Sequence, residues 1–526
     1  MSRSVPRPRA PLRRAFGRPH HNPSKGAARV SDDQHEGKEA YEPPRGASTT
    51  ATWNAIPYTA TAEWFVLRKK EKPTAEIFSV AYLAQDAGPD RPVTFVFNGG
   101  PGAGSAYLHL GVVGPKRLRF PADGSLPALP PRLEHNEDSW LAFTDLVLID
   151  PVGTGFSRVI EPDDAKDGAD KTGESKETDP HQYFGTVRDL EAMCEFISGW
   201  LSQNRRWGAP LFVAGESYGG YRAGRLTRML QEQPGVGLNG VILISPALEP
   251  AYLATSMGWG DYAVEPWIDV LPTMAATAAH HGRSRAFRTG APLEDVLSAA
   301  EEFATGDYAT FLTRGAAMPV EDRDRVINRF ADLTGLDPEL VRRAEGRVRV
   351  HRFKKELLRD QGKVVGAYDG TILGPDPFPD RDPYEGADLT LTGAYSVYTA
   401  AVNQHLRSEI GLETHREYKL LATDVIMHWK NDDAQFYLQG CPGAVDDFRY
   451  GMAMSPHTRA FITHGWYDLM TPYYTSDRMR NLMRLDESVA DRITVRHFGG
   501  GHMFYAWEES RRAFSSAIAE FVADAV

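Results

Sequence analysis

Cysteine is scarce: Cys194 and Cys441 are the only two among 526 residues. At most one bridge can form, so no disulfide framework organises the fold and a reducing compartment is the simpler expectation. No uninterrupted apolar run reaches the length that crosses a bilayer, so no membrane span is expected. Acid is missing from Met1 to Arg29, a stretch that holds Arg3, Arg7, Arg9, Arg13, Arg14, Arg18, Lys25 and Arg29. The whole chain nevertheless carries a formal net charge of -11, so the remainder is more acidic than that total. An acidic body argues against nucleic acid as a partner. The basic start also lacks the apolar core of a secretory signal. After Arg13-Arg14 comes Ala15-Phe16-Gly17-Arg18-Pro19, which is no export core either, and the expected location is cytoplasmic. There is no internal repeat and no cofactor fingerprint; neither a cofactor nor a metal is expected.

What is present is the composition of an ordinary globular protein, 42% hydrophobic and 25% charged, in a chain long enough for a catalytic domain with a sizeable insertion. Residues 1–52, rich in Pro, Arg, Ser, Gly and His, read as a disordered tail. From Trp53 onward short apolar runs alternate with turn signals. Phe78–Leu83, Val93–Phe97, Asp145–Asp150, Pro210–Ala214 and Val241–Ile244 read as strands, several of them apolar enough to be buried on both faces. Between them, Gln182–Gln203 carries Val187, Leu190, Cys194, Ile197 and Leu201 on one helical stripe, and a second helix runs from Tyr218 to Gln231. This alternation predicts an α/β fold with a mostly parallel sheet over residues 53–249. Residues 250–410 turn polar and helix-like, for instance at Arg325–Thr334 and Pro338–Arg343, and read as an inserted helical cap. Strands return at Ala460–Thr463 and Ile493–Phe498, so residues 411–526 complete the core.

The most informative segment is Pro210-Leu-Phe-Val-Ala-Gly215-Glu216-Ser217-Tyr218-Gly219-Gly220, where a strand runs into Gly-x-Ser-x-Gly and a helix begins at once. A turn this sharp leaves no room for side chains at Gly215 and Gly219, and it lifts the Ser217 hydroxyl above the sheet's carboxyl edge beside a helix N-terminus. The pattern is that of an α/β hydrolase, in which an acid and then a histidine follow the nucleophile along the chain. Asp468 lies just past the strand Ala460–Thr463. It could instead cap the next helix, but Thr471 before Pro472 suits that role better. Two histidines come after Asp468. His497 falls within a strand, while His502 follows Gly499-Gly500-Gly501 on a flexible turn and can reach two partners; His464 precedes the acid. Ser217, Asp468 and His502 are therefore the expected triad, with His502 taking the serine proton and Asp468 holding its tautomer.

Four motifs stand in order: Asn98-Gly99-Gly100-Pro101-Gly102, Asp150-Pro-Val-Gly-Thr-Gly-Phe-Ser157, Gly215-Glu216-Ser217-Tyr218-Gly219-Gly220 and Gly501-His502-Met503. Together they resemble the serine carboxypeptidases of the carboxypeptidase C and cathepsin A group, over about residues 60 to 520. The resemblance implies an oxyanion hole from the backbone N–H groups of Gly100 and Tyr218. It also implies substrate contacts from Asn98, Gly99, Glu216 and Met503, with Asn98 and Glu216 at the positions that bind the substrate's terminal carboxylate. Asp150 matches a structural position. Two departures stand out. The carboxyl that pairs with the glutamate in the family falls, by ungapped counting, on Val112, which leaves three alternatives: burial alone keeps Glu216 neutral, another group such as His109 assists it, or it is ionised at neutral pH and repels a carboxylate. The tripeptide Met503-Phe504-Tyr505 lacks the family's proline.

Three readings follow. The first is a serine carboxypeptidase acting on peptides without a cofactor. The second keeps the triad in an esterase, amidase or acyltransferase acting on a small acyl substrate. The third is a catalytically silent interaction protein. Oligomeric state is not readable from these residues.

Overall fold

A computed structural model describes residues 41–526 apart from 86, 161–178, 254, 256–260, 383 and 434–439; the basic segment 1–40 lies outside the described residues. The strands of the main sheet are β1 (Ala47–Trp53), β2 (Ile56–Lys69), β3 (Lys72–Ala84), β4 (Val93–Phe97), β5 (Asp145–Ile149), β6 (Arg158–Val159), β7 (Leu211–Glu216), β8 (Gly240–Ile244), β9 (Arg459–Thr463) and β10 (Ile493–Val495). They form one sheet in the order β1-β2-β3-β5-β4-β7-β8-β9-β10, with β6 also on β3. From β5 to β10 every pairing is parallel; β1, β2, β3 and β6 add an antiparallel wing. The architecture is that of an α/β hydrolase.

Burial explains why these segments are strands. Every residue of β4, β5, β7 and β8 is buried, as continuous apolar runs require when helices cover both faces. Val93, Phe95 and Phe97 join one apolar cluster with the helices Thr186–Gln203, Tyr218–Glu232 and Val445–Met454, while Val96 turns to the other with Leu389–Gln404 and Glu508–Asp524. Each fully buried Val, Leu, Ile or Phe contributes roughly 1.5–3 kcal/mol, so this central slab is the rigid base of the molecule.

The strand β2 behaves differently. Tyr58, Ala60, Ala62 and Trp64 are buried and their neighbours only half so, the period-2 signature of a sheet with one face wetter than the other. The wing corrects the boundary of the expected tail: residues 47–53 are a strand paired with β2 in register from Ala47↔Ala62 to Trp53↔Ile56. Composition hid it, because Ser48, Thr49, Thr50 and Thr52 face outward or sit half-buried.

The insertion has its own apolar cluster, running from Trp267 to Ala367 and joined by Leu469. Its helices are Glu265–His280, Leu293–Phe303, Ala309–Arg314, Val320–Thr334, Pro338–Arg343 and Val350–Glu356, followed by a hairpin of Lys363–Val365 and Leu373–Pro375. The helix Leu389–Gln404, expected inside the cap, instead buries Ala394, Val397, Tyr398, Ala401 and Val402 in the main core. Its apolar stripe matches the sheet face, so the structural insertion ends before residue 389. At the carboxyl end of the chain, β10 stops at Val495, and Phe498 rejoins the sheet only through a bridge to Gly465.

Candidate active site

Parallel strands deliver their carboxyl ends to one edge, where α/β folds bind ligands. There β4 leads into Asn98, β7 into Ser217 and β8 into Ser245, and the loops after β9 and β10 carry Asp468 and His502. Ser217 has φ 63° and ψ -123°, a backbone conformation that costs a non-glycine residue about 1–3 kcal/mol. The surroundings enforce it: its N–H donates to the Ile244 carbonyl at 2.9 Å and its carbonyl accepts from Ala247 at 3.0 Å. A Cβ on Gly215 would lie 2.0 Å from the Gly219 carbonyl oxygen, which explains the first glycine of the turn.

Asp468 is fully buried. Its Oδ1 accepts from the amides of Met470 (2.8 Å) and Thr471 (3.0 Å), and its Oδ2 meets His502 Nδ1 at 2.6 Å. The Thr471 hydroxyl completes this cage, 2.6 Å from Asp468 Oδ2 and 3.1 Å from both His502 Nδ1 and the Ser245 carbonyl. This corrects the expected helix cap. Thr471 makes no capping bond to the helix Tyr473–Leu482, because its hydroxyl is spent on the carboxylate. Ser245 Oγ donates to the His502 carbonyl at 2.8 Å and so ties the His502 loop to the strand beside Ser217. Burial pulls the His502 imidazole down, but the charge and hydrogen bond of Asp468, then the charge of Glu216, outweigh it and hold its pKa above 6.5. The other histidines are engaged elsewhere: His464 with Thr471 and Ser476, His497 with the His464 amide and Asp477.

Glu216 is buried, and both of its hydrogen-bond donors converge on Oε2: Asn98 Nδ2 at 2.9 Å and Tyr505 OH at 2.6 Å. Burial raises its pKa to about 7, against the lowering pull of His502, Tyr505 and Asn98. The rings of Tyr107 and Tyr398 meet nearby at 4.8 Å, tilted by 55°. Among the described residues their buried hydroxyls lack a partner, and the Glu216 charge adds to burial in holding the phenol protons on. His109 is not at this carboxyl. Its Nε2 lies 2.7 Å from Tyr82 OH, which also meets His405 Nε2 at 2.6 Å. The helical turn His109–Val113 points that ring into the core, and Val112 is buried with it.

The Asn98–Gly104 loop is braced from behind. Asn98 Oδ1 accepts from Leu108 N (3.0 Å), Arg222 donates to the Asn98 carbonyl (2.8 Å), and Asp150 takes Ser105 N, Ser105 Oγ and Tyr418 OH. Arg222 is itself fixed by Asp189 at 2.6 and 3.2 Å. Gly99 lies against the elbow; a Cβ there would be 2.4 Å from the Tyr218 nitrogen. Gly100 adopts φ +101°, and among the described residues neither its amide nor that of Tyr218 donates to a protein acceptor. Met503 is half-buried next to His502.

Ser245 has no part in the sequence-based expectations, Thr471 enters them only as a helix cap and Tyr505 only within the tripeptide Met503-Phe504-Tyr505; each makes its contact from a different loop, and no local spacing signals it. Among the described residues, the ligand atoms of His181, Asp424 and His428 lie within 4.8 Å of one another. The two imidazoles, however, stack at 3.8 Å and 7°, so their in-plane lone pairs do not converge on one ion.

Residues 61–265 match the model of the serine carboxypeptidase family, peptidase S10. The chain is 29% identical over 139 residues to pheromone-processing carboxypeptidase kex1 of Sclerotinia sclerotiorum, covering 26% of this chain and 18% of the relative. It is 28% identical over 165 residues to serine carboxypeptidase-like 36 of Arabidopsis thaliana, covering 31% and 29%. These matches thus span less than a third of the relatives' own lengths. In fold it is similar to the prohormone-processing carboxypeptidase Kex1(Δ)p of Saccharomyces cerevisiae, with a TM-score of 0.50 and 15% identity over 89% of this chain and 92% of that one. Over residues 61–265, and in the order of its four motifs, this chain is similar to the serine carboxypeptidase family.

Proposed function

We propose that the protein is a serine-type carboxypeptidase that removes C-terminal residues from peptides. Ser217 Oγ attacks the last peptide carbonyl as His502 takes its proton, with Asp468 holding the ring through Nδ1. The amides of Gly100 and Tyr218 receive the oxyanion, and the imidazolium protonates the departing amino acid. Water, activated by the same imidazole, then hydrolyses the acyl-enzyme. The observation that carries the reading is Glu216: a buried carboxyl next to the nucleophile, with Asn98 and Tyr505 on one oxygen and a pKa of about 7. Kept neutral, it donates a hydrogen bond to the substrate's terminal carboxylate. Tyr505 supplies the hydroxyl partner where a second carboxyl is replaced by Val112.

One observation favours the esterase or amidase reading: above pH 7 Glu216 is ionised and repels a carboxylate. The test compares an N-blocked dipeptide, its C-terminal amide and a matching ester, with wild type and Ser217→Ala. Preference for the free carboxylate near pH 6, lost by at least about 10⁴-fold in Ser217→Ala, supports the proposal. Preference for amide or ester at every pH would transfer the triad to the second reading.

A further inference from the structure

The four-residue turn Ala367–Gly370, at the end of the inserted hairpin, touches both triad loops through hydrogen bonds. On the acid side, the amide of Leu469 donates to the Ala367 carbonyl at 3.0 Å, and the amide of Gly370 donates to the Tyr467 carbonyl at 2.9 Å; these two residues flank Asp468. On the base side, the amide of His502 itself donates to the Tyr368 carbonyl at 2.5 Å. The amide of Gly501 donates to Asp369 Oδ2 at 3.0 Å, where Trp507 Nε1 also arrives at 3.2 Å. The other oxygen of Asp369 serves its own turn, accepting from Thr371 N (2.9 Å) and Thr371 Oγ1 (2.6 Å). The Tyr368 ring stands edge-on to the His502 imidazole, 5.2 Å away at 87°. Contact is so close that a Cβ on Gly501 would sit 2.0 Å from the Tyr368 carbonyl oxygen.

We propose that Asp369 is a positioning residue for the triad: through the Gly501 amide it sets where the His502 imidazole stands relative to Asp468 and Ser217. The geometry requires it. A loop opened by Gly499-Gly500-Gly501 has no side chains with which to fix itself; Ser510, Tyr467 and Ser245 hold its carbonyls, while the Gly501 and His502 amides take acceptors brought from the insertion. Two of the acceptors that hold this loop, the Tyr368 carbonyl and Asp369 Oδ2, are side by side on one turn. Burial raises the Asp369 carboxyl to about 6, so it is ionised at neutral pH and binds the amide as a charged acceptor.

The inference rests on the triad reading, so its assay uses a p-nitrophenyl ester, which needs the triad but no terminal carboxylate. Active sites are counted with a fluorophosphonate so that kcat refers to competent Ser217 alone. Asp369→Asn keeps the shape but turns one oxygen into a donor, so either Gly501 or Thr371 loses its acceptor. Expected is a kcat lowered about tenfold or more with KM within about threefold, since misplacing a catalytic group by an ångström is worth up to about 100-fold. Thr371→Ala loosens the same turn without touching Gly501 and leaves kcat within about twofold. A wild-type kcat in Asp369→Asn, or an equal loss in Thr371→Ala, overturns the proposal. Should Asp369→Asn not fold, hydrogen exchange on wild type decides it: slow exchange of the Gly501 and His502 amides is expected, and exchange at free-loop rates refutes it. Ester turnover surviving Ser217→Ala would sink the triad instead, a separate outcome.

Discussion

Replacing Glu216 with glutamine separates what this carboxyl does for recognition from what it costs the fold. Glutamine keeps the shape and a hydrogen-bond donor but cannot ionise. In wild type the carboxyl moves from 4.5 to about 7 on folding. A raised folded pKa contributes stability that is complete below pH 4.5 and lost as pH rises through about 7. The gap corresponds to about 3 kcal/mol at 1.36 kcal/mol per pH unit. The side chain is 3% exposed, so solvent screening takes little from that figure. Glu216→Gln should therefore be more stable than wild type at pH 8 by about 3 kcal/mol and by under about 1 kcal/mol at pH 5. For a chain this long that is a rise in Tm of only about 3 °C. Activity gives the sharper readout. A free-carboxylate substrate needs a proton on Glu216 and none on His502, and these two groups interact, so single pH profiles blend both titrations. The ratio of kcat/KM for the N-blocked dipeptide to that for its amide cancels His502. In wild type this ratio should fall about tenfold per pH unit above pH 7, as the neutral carboxyl is depleted. In Glu216→Gln it should stay flat from pH 6 to 9. A flat ratio in wild type, or the same fall in the variant, would refute the assignment of Glu216 to the terminal carboxylate.

Two further expectations use the same site. Tyr505→Phe removes a donor that lowers the Glu216 pKa, so the alkaline fall of the same ratio should move up by about one pH unit, the worth of a charge-assisted hydrogen bond; a downward move contradicts the pairing. Asp189→Asn strips the buried Arg222 of its charge partner and should cost about 3–5 kcal/mol in urea unfolding, with loss of activity as the Asn98 loop loosens; a cost under 1 kcal/mol would mean that the pair does not brace the loop.

The parallel strands β4, β5, β7 and β8 were legible because each is a nearly continuous buried run, and β4 and the elbow were placed to within a residue or two. Such runs need no knowledge of their neighbours. The antiparallel wing was not, since β1 is threonine-rich and only its pairing with β2 makes it a strand. The same contrast holds at the site. Ser217 is announced by its own turn and His502 by the glycines before it. Thr471 looked like a helix cap because local spacing cannot show that a carboxylate, a carbonyl and an imidazole meet its hydroxyl. His109 looked available to Glu216 because counting along the chain says nothing about which way a ring turns; Tyr82 and His405, the latter 296 positions further along, claim it. Tyr505 could be found only by asking what fills the space beside Glu216.

The turn Ala367–Gly370 bears on how freely such insertions can be exchanged. A cap that merely roofs a cleft is a cassette: it can be cut out, shortened or swapped for another, and the chemistry beneath survives at altered selectivity. Here the insertion supplies acceptors to the amides of Leu469, Gly501 and His502, at or next to both Asp468 and His502. Excising residues 250–388 would leave the Gly499–His502 loop without those acceptors, and a foreign cap would have to present two carbonyls and a carboxylate at the same points. If Asp369 positions His502 as proposed, selectivity and turnover are not independently tunable in this chain. Redesign of its substrate range has to begin at the insertion's helices, with the hairpin and its turn left in place.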